Sequence, residues 1–147
     1  MTDAALIGEA FQLKEVARAG WLRVGIHHPE SVAAHSWGVA FLALVSCPAE
    51  LDRGRVLALA LLHDLAEARV GDITPHDGIP AEEKHRLERE AIDGMLADHP
   101  HLRQLWEESE ARLTPEARFV KQLDIADLRA QARIYAARGA DTSEFLR

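Results

Sequence analysis

One cysteine, Cys47, is all the thiol chemistry in this chain of 147 residues, so no disulfide can form within it. It sits in an apolar run over residues 41–47, where it reads as a small buried hydrophobe rather than a nucleophile. No apolar stretch reaches membrane-spanning length without a charge or a histidine. The stretch over residues 1–8 carries an Asp and lacks the basic start of a secretory leader. Positive charge is in short supply too: 17 Lys and Arg face 24 Asp and Glu, for a net charge of -7. That argues against a nucleic-acid polymer as partner, which would need a basic face. Repeats, low-complexity tracts, linkers and convincing strands are missing as well. These absences point to a cytoplasmic protein with no membrane partner, folded as one domain over residues 1–147. A phosphorylated small molecule stays open as a ligand, provided a metal ion or a few Arg and Lys supply local positive charge.

What is present is apolar residues at 48% and charged residues at 28%, an ordinary globular mixture. Their spacing predicts an all-α fold, a compact array of about six helices. The first spans residues 4–17, and a break follows at Ala19-Gly20-Trp21. The second spans 32–45, with Glu30 or Ser31 near its N-cap. It is apolar nearly all round, the mark of a buried helix. Pro48 ends it, and Asp52 can cap a third helix over 53–68, apolar all round at its centre. A loop rich in Gly, Asp, Thr and Pro leads to Pro80, which starts an amphipathic helix reaching towards Pro100. A shorter helix covers about 102–112. Thr114-Pro115-Glu116 opens the last, which ends near Arg138. Trp37 and Trp106 read as core.

Three polar positions break this apolar pattern. His63-Asp64 interrupts the run Leu59-Ala60-Leu61-Leu62. His35 sits inside the second helix, and Asp124 lies among Phe119, Val120, Leu123, Ile125 and Ala126. A buried carboxylate costs several kcal/mol, roughly, unless it is paired or bound to metal. Taken singly, His35 could be a satisfied core histidine, Asp124 could pair with Lys121, and His63-Asp64 could mark a helix end. Together, His35, His63, Asp64 and Asp124 become inexpensive if they converge on one divalent cation. Two imidazoles and two carboxylates suit Mn, Co, Fe, Ni or Zn, with Mg also open, better than a thiolate-type structural site.

The order His35, His63-Asp64, Asp124 resembles the H…HD…D signature of the HD-domain superfamily. The blocks Arg18-Ala19-Gly20-Trp21, Pro29 to His35, His63 to Glu67, Val70-Gly71-Asp72-Ile73, Ile79 to Lys84 and Phe119 to Asp124 resemble its 5'-deoxynucleotidase branch, in family order. The resemblance implies an HD-domain fold and a metal-dependent phosphohydrolase that converts 2'-deoxynucleoside 5'-monophosphates to deoxynucleoside and phosphate. It also implies a homodimer. Rival readings are another HD-type nucleotide hydrolase or phosphodiesterase, which usually carries more chain, and a non-catalytic nucleotide-binding module.

Further residues take roles from the same resemblance. Glu67 shares a helical face with His63 and Asp64. It could pair with Arg69 or Arg86 in solvent, but the family has its catalytic Glu there. Arg18 precedes the helix break, and a guanidinium suits bidentate phosphate contact. The resemblance gives it that task, both binding and catalytic. Asp72 reads either as a turn cap or, by resemblance, as the group beside the sugar. Trp21 reads as a sugar or base contact or as a core ring. Lys121 can neutralise Asp124 or help bind phosphate. Asp127, three residues beyond Asp124, takes a supporting or cleft position. His76-Asp77 is a second His-Asp pair in a loop without apolar surroundings, and Glu83-Lys84 has no assigned role.

Overall fold

A computed structural model describes residues 2–147. Among the described residues the regular elements are all helical, apart from one isolated antiparallel bridge between Ala17 and Ser31. The α-helices are α1 (Asp3–Ala10), α2 (Ala19–Arg23), α3 (Val32–Ser46), α4 (Arg53–Leu62), α5 (Glu67–Val70), α6 (Ala81–Met95), α7 (Pro100–Ala111) and α8 (Pro115–Ala137). Short 3-10 turns cover Phe11–Lys14, Pro75–Asp77 and Ser143–Leu146. No helix among the described residues is long and apolar enough to cross a membrane.

The expected helix starts are met by side-chain caps. Ser31 accepts from Ala34 N–H at 3.0 Å, Asp52 from Arg55 N–H at 3.1 Å and Thr114 from Ala117 N–H at 3.2 Å. Each satisfies a backbone donor that the first turn leaves orphaned. Pro100 and Pro115 open α7 and α8 where a missing N–H does no harm.

Helices α3, α4 and α8 form the centre, sharing an apolar cluster of Val39, Ala43, Val56, Leu59, Val120 and Leu123. A second cluster joins α3, α6 and α7 around Val32, Ile92, Met95 and Trp106. A third holds Trp21 of α2 against Ala132 and Tyr135 near the end of α8.

The structure corrects several expectations. The first helix shortens to α1 and a 3-10 turn, and Ala19-Gly20-Trp21, expected as a break, is the start of α2, the chain breaking just before it. The third stops at Leu62, and the chain then tightens: Leu65 N–H reaches Leu62 O at 3.0 Å, and Glu67 N–H reaches Asp64 O at 3.0 Å. Side chains three apart eclipse in such winding, so Asp64 and Glu67 still line up. Nor is α3 buried all round. Its inward face is Val32, His35, Ser36, Val39 and Ala43, whereas Trp37 is 66% exposed and Phe41, Leu44 and Val45 are exposed beside it. Trp106 is core as expected; Trp37 is not.

Candidate active site

The three central helices deliver the conspicuous polar groups to one place. His35 of α3 is fully buried. Its Nε2 lies 2.9 Å from Asp124 Oδ1 on α8 and 3.6 Å from Asp64 Oδ2 at the end of α4. His63 Nε2 lies 3.2 Å from Asp64 Oδ2 and 3.9 Å from Asp124 Oδ1. The donor atoms of His35, His63 and Asp64 all fall within 4.8 Å of one another. Both Nε2 atoms are buried without a properly directed hydrogen-bond partner. Ligands bound at about 2.0–2.2 Å sit roughly 3 Å apart around one ion. Two orphaned imidazole nitrogens facing two carboxylate oxygens at these separations therefore fit a divalent cation.

The far nitrogens of the two imidazoles are tied down. His63 Nδ1 contacts Ala60 O at 2.7 Å, and His35 Nδ1 contacts Asp127 Oδ2 at 2.6 Å. An acceptor at each Nδ1 holds the proton there and leaves the Nε2 lone pair for a metal. Asp127 lies one turn beyond Asp124, so α8 presents a carboxylate to each side of the His35 ring. Glu30, His35 and Asp127 also form a potential ligand group, but its imidazole atom is the one bonded to Asp127.

Charge in this cluster is strongly coupled. Burial opposes a charged His35, yet the carboxylates of Asp124 and Asp127 beside its two ring nitrogens outweigh this and lift its pKa to about 9. His63 is likewise opposed by burial and raised by Asp64. Burial would raise both Asp64 and Asp124, but the imidazoles hold both well below the usual carboxylate range. Glu67 moves the other way: burial first, then the charges of Asp64 and Asp72, push it far above an ordinary carboxylic acid.

Arg18 is placed by three backbone ties. Its N–H donates to Glu30 O at 3.1 Å, the next N–H, of Ala19, donates to Asp72 Oδ2 at 2.8 Å, and Val32 N–H reaches Val16 O at 2.8 Å. Gly71, at φ 76°, turns the chain out of α5 to put Asp72 there. Asp72 thus satisfies the first backbone donor of α2 rather than capping the turn at Thr74 that follows it, and it also lines the cleft.

Two cavities meet at Arg18 and Asp72. One, of about 170 Å³, is polar and includes His63, Asp64, Glu67, Lys121 and Asp124 in its wall. The other, of about 330 Å³, is mainly apolar and includes Trp21, Ile73, Leu128 and Phe145. Lys121 Nζ pairs with Asp124 Oδ2 at 3.1 Å while facing the polar cavity. Trp21 is buried, its ring edge-on to Tyr135 and its N–H donating to Glu30 Oε1 at 3.1 Å. It is part of the cavity wall rather than a free stacking surface. His76 also lines the apolar cavity, while Asp77 accepts from Thr74 N–H at 2.7 Å as a local cap.

Sequence reasoning passed over Glu30 as more than a helix-start residue. It accepts from Trp21 and lies 3.9 Å from Arg18 Nε. Its position just before the Ser31 cap was the one available signal. Lys84 and Arg112 also line the polar cavity. Arg112 arrives there through a left-handed backbone turn, φ 54°, at the end of α7, a conformation that no residue type in that stretch foretells.

Comparison with known proteins follows the same lines. The family model described as HD domain matches residues 10–146. "5'-Deoxynucleotidase HDDC2" of Homo sapiens is 45% identical over 129 residues, covering 84% of this chain. The chain spans 63% of that relative's length, less than two thirds. Among solved structures, a conserved hypothetical protein from Pyrococcus furiosus superposes with TM-score 0.86 at 35% identity, covering 98% of this chain and 86% of the other. A predicted metal-dependent phosphohydrolase from Magnetospirillum magnetotacticum superposes with TM-score 0.70 at 30% identity, covering 83% and 66%.

Proposed function

The chain belongs to the HD-domain family, and we propose on that footing that it is a metal-dependent 5'-deoxynucleotidase. One observation carries the reading. A charged cavity holding the His-Asp quartet and an apolar cavity share Arg18 and Asp72 as their common boundary. That two-part cleft suits a substrate with a phosphate at one end and a flat, poorly solvated group at the other. The name of the human relative supports the same substrate class.

In this reading His35 Nε2, His63 Nε2, Asp64 and Asp124 hold the ion. A divalent ion there supplies positive charge for the phosphate and lowers the pKa of nearby water. Arg18 binds the phosphate oxygens, with Lys121 as a second cation that also neutralises the outer oxygen of Asp124. Glu67 holds a proton between Asp64 and Asp72 and can pass it to the leaving 5'-oxygen or take one from water. Asp72 keeps one oxygen on Ala19 N–H and presents its carboxylate edge where the sugar follows the phosphate. A ribose hydroxyl crowded against that edge is disfavoured. Glu30 holds the Arg18 and Trp21 side chains in place.

The proposal extends to assembly and place. Trp37, Phe41, Leu44 and Val45 form an exposed stripe at helical spacing on α3, the Trp37 and Phe41 rings stacking at 5.3 Å and 11°. An unpartnered apolar face of this kind supports a homodimer. The clusters share α3 and α8 or their neighbours, in keeping with one HD domain over residues 1–147. A single half-buried thiol suits the cytoplasm.

The test is phosphate release from matched deoxy- and ribonucleoside 5'-monophosphates, each with Mn, Co, Ni, Zn or Mg added to chelator-treated protein. Turnover of the deoxy series with a restored metal is expected. Preference for cyclic nucleotides or diphosphate esters would move the chain to another HD-type hydrolase, and nucleotide binding without turnover would make it a binding module.

A further inference from the structure

The apolar cavity has one wall that no part of the phosphate or metal chemistry requires. The Ser143–Leu146 turn folds back over α2 and places Phe145 with its ring centroid 4.7 Å from that of Trp21. The contact is close: a Cβ added to Gly20 would already touch the Phe145 ring at 3.4 Å. The turn is held at both ends. Thr142, buried, donates its hydroxyl to Ala132 O of α8 at 2.7 Å. Glu144 takes both guanidinium nitrogens of Arg23, at 2.9 and 2.7 Å. His76, from the loop opposite, comes within 3.9 Å of the same carboxylate. Three segments distant in sequence thus meet around the mouth.

We propose that this cavity receives the base of the substrate and that the Ser143–Leu146 turn is the element that closes it, with Phe145 as the inner wall and the Arg23–Glu144 pair as its latch. The inference rests on the deoxynucleotide reading and deepens it. With the phosphate between Arg18 and the His-Asp quartet, the sugar lies at the Arg18–Asp72 boundary. The base then points away from the carboxylates. On the metal side it would be desolvated among ionised groups, at high cost. On the other side it meets Ile73, Pro75, Leu128 and Phe145 in a volume of about 330 Å³, within the size range of small-ligand sites. The charged side chains on that side, Arg23, Glu144 and His76, stand at the rim and already engage one another.

The experiment compares kcat/KM for a deoxynucleoside 5'-monophosphate with that for 2-deoxyribose 5-phosphate, which lacks the base, in the metal-loaded protein. The parent should favour the nucleotide. In Phe145→Ala the ratio should fall at least about fivefold, as expected for loss of one ring against a base. Phe145→Leu, which keeps an apolar wall, should recover part of it. Glu144→Ala, which frees the latch, should shift the ratio the same way by less. A ratio that is unchanged in Phe145→Ala, or that already stands near one in the parent, overturns the proposal. Should no deoxynucleotide be hydrolysed, the activity reading fails by itself. The cavity is then decided by NMR titration with a deoxynucleoside and with 2-deoxyribose. Shifts at Ile73, Leu128 and Phe145 with the nucleoside alone sustain the site, and shifts elsewhere or none reject it.

Discussion

Gly38→Ala, a change of one methyl group on the central helix, should weaken metal binding without touching a ligand. Gly38 lies one turn beyond His35, facing α8. A Cβ there would stand 2.1 Å from Asp127 Oδ1 and 3.1 Å from its Cγ, far inside ordinary contact. Asp127 must then swing away, and its other oxygen must leave His35 Nδ1, now at 2.6 Å. A buried N–H that loses its acceptor costs about 1–3 kcal/mol, while Ala in place of Gly returns about 1 kcal/mol through helix propensity. The net change in stability is therefore small, on the order of 1 kcal/mol. Metal affinity behaves differently, because the imidazole loses the group that fixes its tautomer and orientation. Loss of such an outer partner weakens binding by about 10–100-fold. Calorimetric titration of chelator-treated protein with Mn or Co would measure this, with Asp127→Ala alongside. Both variants should fall by similar factors, and the double variant should add little, since both remove one contact. Parent-like affinity in Gly38→Ala together with complete loss in Asp127→Ala would refute the reasoning and make Asp127 itself a ligand.

Asp64→Ala and His63→Ala should each lose bound metal and turnover together; full occupancy by elemental analysis would remove them from the ligand set. Glu67→Gln should keep metal and substrate affinity but lose turnover by about a hundredfold or more, and normal turnover would return Glu67 to a supporting role. Metal-free protein should lose stability as pH rises. His35, raised to about 9 in the folded chain, contributes fully below its unfolded pKa of about 6.5 and loses that contribution through pH 9, roughly 3 kcal/mol in all. A melting temperature that stays flat or climbs between pH 6.5 and 9 in chelator would contradict the paired imidazole. Trp37→Glu should convert a dimer to monomer by light scattering, and an unchanged mass would place the interface off α3.

The His-Asp quartet was legible because each of its members contradicted its own neighbourhood. His35, His63-Asp64 and Asp124 stand in apolar runs that would otherwise bury them without partners, and the structure brings their Nε2 and carboxylate oxygens together. Caps and prolines made the helix starts equally plain. What stayed hidden depends on geometry across helices. An apolar run cannot say whether Trp37 faces the core or a partner. The break at His63 carries no Gly or Pro to announce it. Gly38 looked like any helical glycine until the carboxylate opposite it was placed.

The same conflict between charge and surroundings that exposes the site also limits what can occupy it. Six carboxylates line the polar cavity, Asp64, Glu67, Asp72, Glu88, Glu110 and Asp124, against four fixed cations, Arg18, Lys84, Arg112 and Lys121. Without an ion, that surplus of negative charge and burial raise the pKa of Glu67, and the carboxylates raise those of the two imidazoles. In the proposed reading, a divalent ion held by His35, His63, Asp64 and Asp124 would take the place of the imidazole protons and supply positive charge beside Glu67. A phosphate group would bring negative charge of its own, and in the proposed reading it therefore approaches from the side where Arg18 and Lys121 stand.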